Sequence, residues 1–295
     1  MIRFVESGGQ ANTMITRGQL QIRDPFVLVD PEAGLYIMYG TNGIQGFDAY
    51  TSTDLENWDG PFPVFRPEED FWADRDYWAP EVHLYRGRYY MLASLKAEEA
   101  CRGTQIFVAD SPLGPFQLCG DGPVTPGDWE CLDGTLHIDE AGKPWMVFCH
   151  EWLQVHDGEM CAVPLDESLE RATGEPVLLF KASEAPWTVA RHTGIDYITD
   201  GPFLFRSGGE LLMMWSSFGA DGYALGLSRS ASGKLAGPWT HDERPLYDKD
   251  GGHGMLFRNL RGEWMLTYHT PNGGSLERAV FVPFAAVRAG LAPEA

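Results

Sequence analysis

The apolar and polar positions of this chain repeat one phrase: a polar residue, a short apolar run, a glycine turn and an aromatic-rich return. The first copy spans 22–30, 34–41 and 49–53, with Asp24 at the mouth of its leading run. Pro25 fixes its own φ and biases Asp24 towards extended backbone. The second copy covers 77–85, turns at 86–88, returns over 89–94 and adds a run at 104–109. The third is 132–138 and 144–152. The fourth is 199–205, 211–217 and 223–228, and the fifth 251–257, 264–269 and a run near 278–282. Segment 54–61 reads as a turn.

These copies recur roughly every 50 to 65 residues, close to the periods that mark propellers and solenoids. Each holds three or four short β runs, and no helical periodicity separates them, so a βαβ reading fails. Gly60-Pro61-Phe62, Gly114-Pro115-Phe116 and Gly237-Pro238-Trp239 repeat near the ends of units. An all-β, five-bladed β-propeller is therefore expected, as a single domain over residues 1–295, because radial repetition leaves only short, protected edges. A β-sandwich with irregular loops is the plainer alternative.

Composition narrows the chemistry. The chain is 44% hydrophobic and carries ten Trp, eleven Tyr and sixteen Phe, which suits β-sheet cores and platforms for sugar rings. Forty-two acidic against 22 basic residues give a net charge of -20, which argues against nucleic acid or an anionic membrane as partner. Five cysteines without C-x-x-C spacing predict free thiols rather than zinc or disulfides. The first residues lack the apolar core of a secretory leader, and no apolar run is long enough to span a bilayer. A cytoplasmic protein is the expectation.

In a propeller the innermost strands line the axis, and their starting residues converge. Here those starts are Asp24, Glu81, Asp133, Asp200 and His253. Each Asp beside Gly or Pro could be a turn residue. Several at equivalent places would instead repel one another and raise each other's pKa values, which points to function. A carboxyl pair split in this way performs glycoside hydrolysis: one group protonates the leaving oxygen while the other activates water or attacks the anomeric carbon. A third can keep the acid protonated. Trp78, Phe26, Trp152 and Trp72 lie near these starts and could stack on a sugar face or simply pack the core.

Arg23-Asp24-Pro25-Phe26, Trp78-Ala79-Pro80-Glu81-Val82, Leu132-Asp133-Gly134-Thr135-Leu136, Asp200-Gly201-Pro202-Phe203 and Gly252-His253-Gly254-Met255 together resemble the blade signatures of family 43 glycoside hydrolases. That resemblance implies a five-bladed propeller and an inverting α-L-arabinofuranosidase, endo-arabinanase or β-xylosidase. It makes Asp24 the general base, Asp133 the pKa-modulating carboxylate and Asp200 the general acid. Arg23, Phe26, Trp78, His150, Trp152 and His253 are the accompanying candidates for substrate contact. The resemblance also brings His253 near a calcium or sodium ion in the central channel, although hydrolysis itself requires no cofactor. The family's acid is usually Glu before Gly-Pro, and Asp200 is one methylene shorter; Glu151 and then Glu81 are the substitutes.

The substrate expected is a small arabinose- or xylose-containing oligosaccharide. Exo action is the expectation, since a cytoplasmic enzyme meets short, imported sugars. Two rivals stay open. A fructosidase-like five-bladed hydrolase shares Arg-Asp-Pro and Glu-Cys motifs, seen at Arg23-Asp24-Pro25 and Glu130-Cys131, but needs an earlier Asn-Asp-Pro-Asn segment that is missing before Arg23. A non-catalytic sugar-binding propeller is the other.

Overall fold

The repeated hairpins form five separate antiparallel sheets, one for each predicted copy, in a computed structural model that describes residues 14–192 and 194–294. The fold is a five-bladed β-propeller. Blade one contains Arg23–Asp30, Leu35–Thr41, Phe47–Ser52 and Asn57–Phe65, with the short strand Ile15–Thr16 on its outer edge. Blade two contains Arg75–Tyr85, Arg88–Ala97, Ala100–Ala109 and Gln117–Cys119. Blade three is Cys131–Ile138, Pro144–His150, Glu159–Pro164 and Val177–Lys181; blade four is Asp200–Ser207, Glu210–Gly219, Gly222–Ser230 and Trp239–His241. Blade five has three strands among the described residues, Gly252–Arg258, Trp264–Thr270 and Arg278–Pro283.

Two local expectations need correction. Segment 54–61 is a turn only at its start, because Asn57 already begins the outer strand of blade one. The return strand of blade three ends at His150, and Trp152 begins a single helical turn, Trp152–Val155. The Gly-Pro motifs mask the first boundary: Gly60-Pro61 lies inside the strand Asn57–Phe65, beyond its short pairing with Ile15–Thr16, where no outer partner needs the missing N–H of Pro. All three Gly-Pro-aromatic repeats have cis peptide bonds.

Blades pack face to face, so the middle strands are covered on both sides and read as nearly continuous apolar runs. Phe47–Ser52 is buried along its whole length. Between blades one and two, Phe47, Phe65 and Phe107 form a cluster with Tyr77 and Phe71. Phe180, Trp187, Trp215 and Trp239 fill the space around blades three and four. Each such ring contributes roughly 1.5–3 kcal/mol by leaving water. Blade five docks on blade one by side chains and loop hydrogen bonds: Trp58 stacks on Phe281, and the Ile22 N–H donates to the Glu277 carbonyl.

One backbone irregularity recurs in all five innermost strands. Pairing with the middle strand skips between Arg23 and Phe26, Trp78 and Glu81, Leu132 and Thr135, Asp200 and Phe203, and Gly252 and Met255. Inside each skip one residue has left-handed φ: Asp24 (52°), Ala79 (45°), Asp133 (55°), Gly201 (50°) and His253 (52°). For residues other than glycine this conformation costs on the order of 1–3 kcal/mol, and it re-aims the side chain. The strand starts are therefore not all equivalent, as the sequence had suggested. The residue matching Asp24 is Ala79 in blade two and Gly201 in blade four; Glu81 lies two places later and Asp200 one place earlier.

Candidate active site

These bulges gather Arg23, Asp24, Trp78, Leu132, Asp133, Asp200 and His253 around one cavity of about 270 Å3. The left-handed turn points Asp24, Asp133 and His253 at one another, while Asp200 enters from the position before its own bulge. All three carboxylates of this group come from different blades. Wider clefts of about 800 and 690 Å3 lie elsewhere. Size does not select the site; converging buried carboxyls with displaced pKa values do.

Each carboxyl has its own electrostatic setting. Burial opposes the charge on Asp24, but Arg23 and then His253 hold its pKa well below the ordinary value. Arg23 Nε lies 3.3 Å from Asp24 Oδ1, and Thr41 donates its hydroxyl to Asp24 Oδ2 at 2.7 Å. Asp200 is the opposite case: burial, reinforced by the charge of Asp133, pushes it up to about 7. Tyr223 donates to its Oδ2. Asp133 is also raised, by burial and by Asp24, while His253 and a bond from the Gly201 N–H favour its charge. In this coupled pair the proton belongs on Asp200, since Asp133 has the nearby imidazole and the backbone donor.

His253 sits with Nδ1 3.1 Å from Asp24 Oδ1 and 3.7 Å from Asp133 Oδ2. Burial disfavours its charge, yet the two carboxylates win and lift its pKa to about 9. His269 behaves in reverse: burial takes it down to about 4, so it stays neutral and accepts the Asp24 N–H on Nδ1 at 3.2 Å.

The remaining candidates are placed elsewhere. Phe26 is past the pocket, packed on His83 and lining the 690 Å3 cleft with Met255 and Phe257, so it does not meet a sugar in the cavity. The two-residue bulge carries the strand beyond the pocket floor before Phe26 is reached. His150 stacks on Trp129 and bonds Glu159 and Gln154, and Trp152 stacks on His192; neither lines the cavity. Trp72 donates its indole N–H to Gln105. Glu151 is buried and ion-paired to Arg102, whose guanidinium lies 4.4 Å from the Trp78 ring and bonds Asp76 at 2.8 Å. Glu81 is buried against His83 at 3.0 Å. Both substitute acids thus lie outside the cavity lining.

Among the described residues no three His, Cys, Asp or Glu side chains form a ligand set. His253 Nδ1 faces the carboxylates of Asp24 and Asp133 as a donor.

Sequence reading did not single out Thr41, Ser94, Tyr223, His269 or Glu277 as site residues. Glu277 accepts from Arg23 Nη1 at 2.9 Å and steadies the guanidinium beside Asp24. The signal was the period: Thr41, Ser94 and His269 occupy the same place in the return strands of different blades.

A propeller whose axial pocket pairs an ionised carboxylate with a protonated one is a glycosidase architecture. The model for glycosyl hydrolases family 43 matches residues 18–282, and the chain belongs to that family, whose members hydrolyse O-glycosyl bonds. An endo-arabinase from Bacteroides thetaiotaomicron VPI-5482 superposes with a TM-score of 0.86 at 42% identity, covering 93% of this chain and 97% of that one. The extracellular exo-alpha-(1->5)-L-arabinofuranosidase ArbA of Cellvibrio japonicus is 22% identical over 82% of this chain and 73% of its own. A probable arabinan endo-1,5-alpha-L-arabinosidase A of Emericella nidulans is 21% identical over 77% of this chain and 67% of its own.

Proposed function

We propose that the chain is an inverting glycosidase that releases α-L-arabinofuranosyl units from arabinan-type oligosaccharides. The observation that carries this reading is the opposed pair in one cavity: Asp24 held ionised by Arg23 and His253, and Asp200 pushed up to about 7 by burial and Asp133. Asp24 takes a proton from water as the water oxygen bonds to the anomeric carbon. The glycosidic C–O bond breaks, and Asp200 gives its proton to the departing oxygen. Asp133 stays charged beside His253, so that Asp200 keeps its proton until this step. Trp78 offers the face for the sugar, stiffened by the Arg102 guanidinium behind it. The shorter Asp200 remains the acid because it lines the cavity and Glu151 and Glu81 do not.

A cavity of about 270 Å3 with seven lining residues suits one pentosyl unit, which supports exo action. Endo-arabinanase action is the second reading, favoured by the likeness to an endo-arabinase. Incubation with linear α-1,5-arabino-oligosaccharides, debranched arabinan and nitrophenyl arabinofuranoside and xyloside separates these. Exo action releases arabinose alone and favours the short chains. Early oligomers from the polymer would replace exo with endo, and no turnover of any of the four would sink the enzymatic reading. Proton NMR of the first-formed anomer tests inversion.

A further inference from the structure

In four blades the N–H of the left-handed residue is accepted by a side chain from the middle strand of the preceding blade. The Asp24 N–H goes to His269 Nδ1 (3.2 Å), Ala79 to Thr41 Oγ1 (2.8 Å), Asp133 to Ser94 Oγ (2.8 Å) and His253 to Ser216 Oγ (2.7 Å). These acceptors share one register position. Each pairs with the residue just before the left-handed one of its own blade: Gly252 with His269, Arg23 with Thr41, Trp78 with Ser94, Asp200 with Ser216.

Blade three breaks the ring. Its residue at that position, paired with Leu132, is Cys149. It is fully buried, and a thiol is a weak acceptor. The Gly201 N–H that would turn to it goes instead to Asp133 Oδ2, at 2.9 Å. One substituted acceptor therefore ties the carboxylate of blade three to the main chain of blade four, one residue from Asp200.

We propose that Cys149 is a positioning residue: by declining the Gly201 N–H it leaves that donor to Asp133, which fixes the Asp133 carboxylate against Asp200. The proposal rests on the reading of Asp133 and Asp200 as modulator and acid. It differs from a packing role in what it demands of the side chain, namely that it not accept the Gly201 N–H. Alanine satisfies this demand and serine does not. A hydroxyl here would restore the acceptor that blades two and four present and compete with Asp133 for the N–H.

The test is kcat and KM for linear arabino-oligosaccharides with Cys149→Ser and Cys149→Ala, together with crystal structures of both. Cys149→Ser is expected to lower kcat about tenfold or more with KM within about twofold, and its hydroxyl to take the Gly201 N–H. Cys149→Ala is expected to keep kcat within about threefold, with the N–H still on Asp133. Equal kcat losses in both variants, wild-type kcat in the serine variant, or an N–H that stays on Asp133 in the serine variant would overturn it. Cys149→Thr, the acceptor type of blade one, replaces serine if that variant does not fold. If the parent protein turns over no glycoside, the functional reading fails by itself, and the structures still decide the hydrogen bond.

Discussion

Tyr223 donates its hydroxyl to Asp200 Oδ2 across 2.9 Å, while its own ring is buried and stacked on His269. The bond favours the charged form of Asp200 and restrains the side chain. Tyr223→Phe removes both effects. The Asp200 pKa moves further above about 7, so the alkaline limb of kcat/KM shifts to higher pH, by less than about one unit for one hydrogen bond of ~1 kcal/mol. A pH–rate profile reads the shift, and a limb that moves down instead contradicts the assignment.

Asp200→Asn abolishes proton donation and is expected to lower kcat by about 10²–10⁴-fold on oligosaccharides with poor leaving groups. The same substitution stabilises the fold at pH 8. The sign follows from linkage: a carboxyl raised from 3.8 to about 7 binds more protons folded than unfolded between those values. Stability therefore drops as pH rises through that window and stays low above it. Removing the ionisable group relieves on the order of 2–4 kcal/mol of that loss. Thermal unfolding at pH 4 and pH 8 measures it, and a variant no more stable than the parent at pH 8 refutes it.

His253→Gln takes away the positive charge between Asp24 and Asp133. Both carboxyls then titrate at higher pH, since each loses a partner that favoured its charged form. The acidic limb of kcat/KM, set by Asp24, moves upward, and activity at the optimum drops by about 10²-fold or more. An acidic limb left in place would remove Asp24 from the base role or His253 from its neighbourhood.

Glu151→Gln separates structural from catalytic carboxyls. Glu151 is buried against Arg102 and has a second oxygen without a hydrogen-bond partner. Neutralising it leaves a buried guanidinium with Asp76 as its remaining ion pair and is expected to destabilise the fold by about 3 kcal/mol. Folded enzyme below its unfolding transition should keep kcat within about threefold, because Glu151 does not line the cavity. A loss of kcat as large as that of Asp200→Asn, rescued on substrates with good leaving groups, would make Glu151 the acid.

The sequence by itself determined the five-fold β repeat, since glycine turns and apolar runs at a regular period leave few other ways to bury so many aromatic rings. It also put Asp24, Asp133 and Asp200 at the entrances to innermost strands, but with Glu81 among them, which the structure leaves outside the cavity. It did not distinguish Ala79 from Glu81 or Gly201 from Asp200 as the counterpart of Asp24, because a bulge shifts the register by one residue without changing the pattern of apolar positions. Phe26 was misjudged for the same reason: nearness along a strand says nothing about which side of a bulge a ring occupies. Only the tertiary structure decided the charges. His253 and Asp133 act on neighbours from other blades, through burial and distances of a few ångströms that no linear pattern contains, whereas Arg23 stands next to Asp24 in the chain itself.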